Sequence, residues 1–175
     1  MKYLYLILLL FAVNSYAQTD STSNNIVQPQ EDLCLYVVEE TDKFTGEISY
    51  NSPYIENISF IKYKSKSITR QYVSLSIYDT YLSGYDNNGL IILFKSGKKI
   101  SRANEKIDVN YSTGGNWNYS AFFTPTASEI NLLKSEEIIG FKLYIFNSDL
   151  TGGNLIKTYA NCVLVSPKVP VKKKK

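Results

Sequence analysis

Runs of alternating apolar and polar residues recur along the chain and predict short β-strands. The clearest run is 72–78, in which Val73, Leu75 and Ile77 alternate with two serines. Successive side chains of a strand point to opposite faces, so this pattern is typical of a strand with one buried face. The segment 107–111 alternates in the same way. Other segments of strand length are 33–38, 48–50, 58–64, 119–123, 141–146 and 159–165.

Five consecutive large apolar residues at 90–94 form the longest such run outside the N-terminus. The run is too short for a helix, and it lies between Asn88-Gly89 and Ser96-Gly97, two pairs that are typical of turns. We therefore predict a central strand that is buried on both faces, with a hairpin partner around 99–101.

One segment carries the signals of a helix. Thr126 and Glu129 have the spacing of a capping box, and Ile130 with Leu133 supplies an apolar face of about two turns. Together with eight or nine strands separated by Gly, Asn and Ser, this predicts an all-β fold. The expected architecture is a single-domain antiparallel β-sandwich or partly closed barrel with one short helix.

The composition agrees with a strand-rich fold and restricts the chemistry. Aromatic residues make up 14% of the chain, with 15 Tyr and 8 Phe. The chain has no histidine, which excludes Ser-His-Asp and Cys-His catalysis and disfavours zinc and non-haem iron sites. Two cysteines alone cannot supply four metal ligands, so we predict no metal and no cofactor.

The N-terminus has the pattern of a secretory signal peptide. Lys2 is followed by an apolar segment at 4–13 and by small residues at Ser15 and Ala17, so residues 1–17 are expected to be removed. The apolar run is shorter than the ~20 residues of a transmembrane helix, and no cysteine follows Ala17 as a lipid anchor would require. We expect a periplasmic or extracellular protein that is not an integral membrane protein.

The rest of the chain divides into three parts by composition. Residues 18–30 form a polar leader that we expect to be flexible, 31–166 form the β-sandwich domain, and 167–175 form a Pro/Lys tail that we expect to be disordered. Without Lys2 and the four C-terminal lysines, 14 basic residues face 16 acidic ones. A near-neutral domain of this kind is not expected to bind nucleic acid.

Two segments, DKFTGE at 42–47 and NEKIDV at 104–109, resemble segments of small uncharacterised exported proteins of Gram-negative bacteria. The resemblance covers most of the mature chain. It implies export and a β-rich fold, and it carries no functional residue over to this sequence.

A candidate ligand-binding segment surrounds the single tryptophan. Asn116, Trp117, Asn118 and Tyr119 follow two glycines, and an exposed indole there would stack on a sugar ring or anchor a protein interface while the amides bind hydroxyl groups. The alternative is a tryptophan that packs in the core at the end of a strand. We therefore predict an exported, non-catalytic binding module for an unknown carbohydrate or protein ligand.

Carboxylates offer the alternative of catalysis. Glu39, Glu40, Asp42 and Glu47 lie close together in the sequence, and two carboxyl groups about 5 Å or 6.5–9.5 Å apart in a cleft would suit a glycosidase. Charged residues beside a turn are more often simply solvated. A third possibility is a structural component of the cell envelope or matrix.

The two cysteines, Cys34 and Cys162, lie in the first and last predicted strands. An even number of cysteines in an exported chain predicts a disulfide. The alternative is a pair of small buried thiols on separate strands.

Overall fold

The computed structural model describes residues 33–82, 88–112 and 114–165. The predicted signal peptide, leader and tail lie outside these ranges, so the boundaries at 17, 30 and 166 stay predictions.

Ten strands form two antiparallel sheets within the described residues, and this confirms the all-β prediction as a sandwich rather than a closed barrel. The six-stranded sheet has the order β1-β2-β3-β4-β8-β7, and the four-stranded sheet has the order β10-β9-β5-β6. The strands are β1 (Val38–Thr41), β2 (Ile48–Asn51), β3 (Ile58–Lys64), β4 (Thr69–Asp79), β5 (Asn88–Phe94), β6 (Lys99–Lys106), β7 (Asp108–Tyr111), β8 (Trp117–Phe123), β9 (Ile138–Leu143) and β10 (Phe146–Asp149).

The core contains the inward side chains of both sheets. Leu75 of β4 and Tyr119 of β8 are fully buried, as are Ile92 of β5 and Leu143 of β9. Strand β5 lies between β9 and β6, which confirms that the apolar run 90–94 is a central strand. It is not buried on both faces, however, because Leu93 points away from the core and is 40% exposed. Antiparallel sheets commonly leave one face to water.

The predicted helix is confirmed as α1 (Ala127–Ser135), with a complete capping box. The backbone N–H of Thr126 donates to the Glu129 carboxylate at 2.7 Å, and the backbone N–H of Glu129 donates to the Thr126 hydroxyl at 3.3 Å. These bonds satisfy N–H groups that the first helical turn leaves without partners.

The predicted strand at 159–165 is wrong, because a second helix, α2 (Gly153–Ala160), continues into a π-helical turn at Asn161–Val165. Ile156, Ala160 and Val163 are buried and recur every three or four residues, which is the period of a helix that packs on the core. The preference of the side chains at 163–165 for a strand is outweighed by the burial of this segment against the core.

A disulfide joins Cys34 to Cys162, with their Cα atoms 5.4 Å apart, and this confirms the predicted pairing. Neither cysteine lies in a strand, however. Cys34 belongs to a 3₁₀ turn at Leu33–Tyr36, which replaces the start of the predicted first strand, and Cys162 belongs to the π-helical turn. The bond therefore ties the turn before β1 to the last described helical segment.

Candidate functional site

The six-stranded sheet has two unlike faces at strand β4. Three aliphatic residues of this strand are buried between the sheets: Val73, Leu75 and Ile77. The residues that alternate with them point outward. With the outward residues of β3 and β8, they form a surface that we call the outer face. Its residues are Ser59, Ile61, Tyr63, Tyr72, Ser74, Ser76, Tyr78, Asn118, Ser120 and Phe122.

Strand register fixes which of these residues are neighbours. Ser74 lies directly opposite Ser59 on one side and Phe122 on the other. Two residues further along β4, Ser76 lies opposite Ser120. The centre of the outer face is therefore lined by four serines.

Aromatic rings form a row across three strands at one end of the serines. The ring centroids of Tyr63 and Tyr72 are 5.8 Å apart in an edge-to-face arrangement, and those of Tyr72 and Phe122 are 4.6 Å apart and stacked. Phe122 nevertheless remains 49% exposed. Cross-strand aromatic pairs stabilise a sheet, yet this row also leaves apolar ring surface in water.

Two further tyrosines flank the other end of the serines. Tyr78 ends the outward series of β4 and is 50% exposed. Tyr54, in the connection between β2 and β3, donates its hydroxyl hydrogen bond to Ser76 Oγ at 3.1 Å and is also half exposed. Aromatic rings therefore lie at both ends of the serine-lined centre.

Charged side chains lie at the borders of this surface. Arg70 lies directly opposite Tyr63 and pairs with Glu47 at 2.5 Å, and Asp108 of β7 lies directly opposite Ser120 and pairs with Lys106 at 3.0 Å. The ten residues of the outer face carry no charge, and the charged side chains directly beside them are ion-paired. The surface therefore offers hydroxyl, amide and ring atoms rather than ions.

Trp117, the central residue of the predicted binding segment, is half-buried and packs against the core. Its ring meets that of Tyr111, directly opposite on β7, with the centroids 5.0 Å apart in an edge-to-face arrangement. Tyr111 is 65% exposed. The indole therefore contacts the core and is also partly open to solvent at the end of the sheet, and its role in binding stays a prediction.

The structure does not bring the four predicted residues together. Asn118 follows Trp117 in the same strand, so it points to the outer face, opposite Tyr78. Tyr119 is buried, and its hydroxyl donates to the backbone carbonyl of Tyr81 at 2.6 Å, which makes it a core residue instead of a ligand contact. Asn116 lies in the hairpin turn, where its carbonyl accepts the N–H of Ser112.

Three of the four clustered carboxylates, Glu40, Asp42 and Glu47, line an open cleft of about 290 Å³ at the corner where β1 and β2 meet, beside Tyr63, and Glu39 does not line it. The Asp42 carboxylate accepts the backbone N–H groups of Thr45 and Phe44 at 2.8 and 2.7 Å, and these bonds lower the pKa of Asp42. Glu47 accepts from Arg70. A glycosidase needs one carboxylic acid with a raised pKa, and Asp42 has the opposite shift.

Among the described residues, no three Cys, Asp or Glu side chains converge as a metal-binding group. No helix in the described ranges is long and apolar enough to span a bilayer. No protein-family model matches the chain, and comparisons with curated proteins and with solved structures find no match. The chemistry of the surfaces is therefore the basis for a function.

The aromatic residues of the outer face were not among the residues predicted from the sequence. The alternation at 72–78 contained part of the signal, because Tyr72 and Tyr78 share a face with the two serines. The contribution of Phe122 depends on the pairing of β4 with β8, which no local pattern specifies.

Proposed function

We propose that this protein is an exported, non-catalytic protein that binds carbohydrate through the outer face of the six-stranded sheet. The observation that carries this proposal is the serine-lined centre with exposed aromatic rings at both of its ends. Sugar rings offer apolar C–H faces that pack on aromatic rings, and their hydroxyl groups exchange hydrogen bonds with serine, tyrosine and asparagine.

The composition of the outer face favours carbohydrate over a protein partner. The centres of protein interfaces are depleted in serine, whereas four serines occupy the centre here. Ser59 and Ser76 are less than 10% exposed, whereas Ser74 and Ser120 are partly exposed and can contact a ligand. A ligand that carries hydroxyl groups can form hydrogen bonds with these serines, whereas an apolar side chain cannot.

Export is supported by two independent features. The N-terminal segment has the pattern of a signal peptide. Disulfides persist in oxidising compartments, and Cys34 and Cys162 are bonded.

Affinity gel electrophoresis in gels that contain individual polysaccharides tests the proposal. We expect at least one polysaccharide to retard the protein, and we expect Phe122→Ala to weaken this binding about tenfold, because a stacked aromatic contact contributes roughly 1 kcal/mol or more. The matched control is Phe44→Ala, which removes a ring that is 86% exposed in the β1–β2 turn. This control should bind like the wild type.

Thermal unfolding of both variants separates lost binding from lost folding. The proposal fails if no polysaccharide retards the wild-type protein, or if the folded Phe122→Ala and Phe44→Ala variants bind equally well.

A further inference from the structure

The lack of charged side chains on the outer face indicates the charge of its ligand. None of its ten residues is ionisable near neutral pH, and the acidic side chain opposite Ser120, Asp108, pairs with Lys106. The nearest basic side chain along β4, Arg70, already pairs with Glu47. The cleft beside Tyr63 is lined by Glu40, Asp42 and Glu47 and by no basic residue.

The spacing of the aromatic rings indicates how long the ligand must be. Tyr72 and Tyr78 are six residues apart on one strand, which corresponds to roughly 20 Å at the usual rise of a β-strand. Tyr63 and Phe122 lie beside Tyr72 at one end, and Tyr54 bonds to Ser76 towards the other end. A ligand must extend along β4 to contact both groups of rings at once.

We infer that the ligand is an uncharged polysaccharide that binds as an extended chain along strand β4. This inference depends on the proposed function and adds the charge and the length of the ligand. An anionic polymer would lose hydration on this surface without gaining a cationic partner, and the acidic cleft at its border would repel it. A cationic polymer would also lose hydration along β4 without gaining a free carboxylate there, because Asp108 already pairs with Lys106. An uncharged chain meets none of these costs.

Extension along the strand makes affinity depend on chain length. A disaccharide reaches one group of rings, whereas a longer chain binds the second group at the high effective concentration that the first contact creates. We expect a hexasaccharide of the retained polymer to bind at least about tenfold more tightly than its disaccharide.

Matched polymers test the charge of the ligand. A neutral polysaccharide, such as dextran, mannan, xylan or cellulose, is compared with its own carboxymethylated and aminated forms. We expect the neutral form to bind most tightly. Its affinity should change less than about twofold between roughly 0.05 and 0.5 M NaCl, because no ion pair is screened. Preference for either charged form, with salt-dependent affinity, would overturn the inference and leave carbohydrate binding in place.

Two tyrosine variants test whether the polysaccharide extends along strand β4. Tyr78→Ala should weaken binding of the hexasaccharide about tenfold, because it removes a ring at the far end of the outer face. Tyr111→Ala is the matched control, since Tyr111 is also exposed and pairs with Trp117 on the other side of the sheet. Extended binding along β4 would be overturned if the two folded variants bound the hexasaccharide equally well. It would also be overturned if the wild type bound the disaccharide as tightly as the hexasaccharide. A complete lack of binding to every polymer would instead refute the proposed function.

Discussion

The carboxylate of Glu56 accepts the backbone N–H of Gly152, the residue directly before helix α2, at 3.1 Å. It also accepts the backbone N–H of Thr151 at 2.9 Å and the hydroxyl of Thr151. Glu56 has a positive φ of 45°, which is unfavourable for a residue with a side chain. The three donors therefore hold the tight turn before β3 against a helix that lies far away in the sequence.

These hydrogen bonds predict a specific dependence of stability on pH. The Thr151 hydroxyl, followed by the Gly152 N–H, lowers the pKa of Glu56 below its ordinary value of 4.5. The stabilisation is therefore fully present above pH 4.5 and is lost as the pH falls through the pKa of the folded state. We expect Glu56→Gln to lower the free energy of unfolding by about 1 kcal/mol at pH 7, because it removes the charge that strengthens the hydrogen bonds from Thr151 and Gly152.

Urea denaturation of the wild type and of Glu56→Gln across the acid range checks this prediction. The difference in unfolding free energy between the two proteins should stay constant above pH 5 and shrink below about pH 4.5. A difference that is the same at pH 7 and pH 3 would show that the charge of Glu56 does not stabilise this contact.

Gly153 is predicted to tolerate no side chain. A Cβ atom at this position would lie 2.0 Å from the carbonyl oxygen of Ile138, so helix α2 would have to move away from β9. We expect Gly153→Ala to destabilise the protein by about 3 kcal/mol or more. Gly114→Ala is the matched control, because no atom lies within 4 Å of the added Cβ there. Similar unfolding midpoints for the two variants would contradict the close approach of helix and strand.

The disulfide is predicted to be a major source of stability. It links residues 128 positions apart, and the chain-entropy model assigns roughly 5 kcal/mol to a loop of that length, although measured values are often lower. We expect the double variant Cys34→Ser/Cys162→Ser to unfold at a clearly lower urea concentration than the oxidised wild type. Thiol titration of the unfolded, non-reduced wild type should find no free thiol, and two thiols per chain would exclude the bond.

Sequence patterns predict those strands and helix ends that are determined by neighbouring residues. The segment 58–64 matches β3, and the Thr126–Glu129 spacing gives the start of α1, because both depend on residues that are neighbours in sequence. The segment 159–165 contains residues that prefer strands, and only its burial against the core makes it helical. Local preference is a weak guide where tertiary packing surrounds a segment on several sides.

The candidate site shows the same limit. Alternation places Tyr72 and Tyr78 on one face, and it also separates Trp117 from Asn118, so both facts were available from the sequence. The row that Tyr72 forms with Phe122 was not available, because it requires the chain to return from the four-stranded sheet and pair β8 with β4. Strand order, unlike strand position, depends on contacts between distant segments.

Trp117 gives the final prediction, because it is the single tryptophan and reports on one position. It is half-buried, contacts the core and meets the Tyr111 ring, so its fluorescence should be only partly quenched by acrylamide. Trp117 points to the side of β8 opposite Asn118 and the outer face. We therefore expect its emission maximum and its quenching to stay the same when a retained polysaccharide saturates the protein. Tyr111→Ala should increase the quenching by removing the neighbouring ring. A shift in emission on polysaccharide binding would instead place the ligand beside Trp117 and Tyr111, and the outer face would then be the wrong surface.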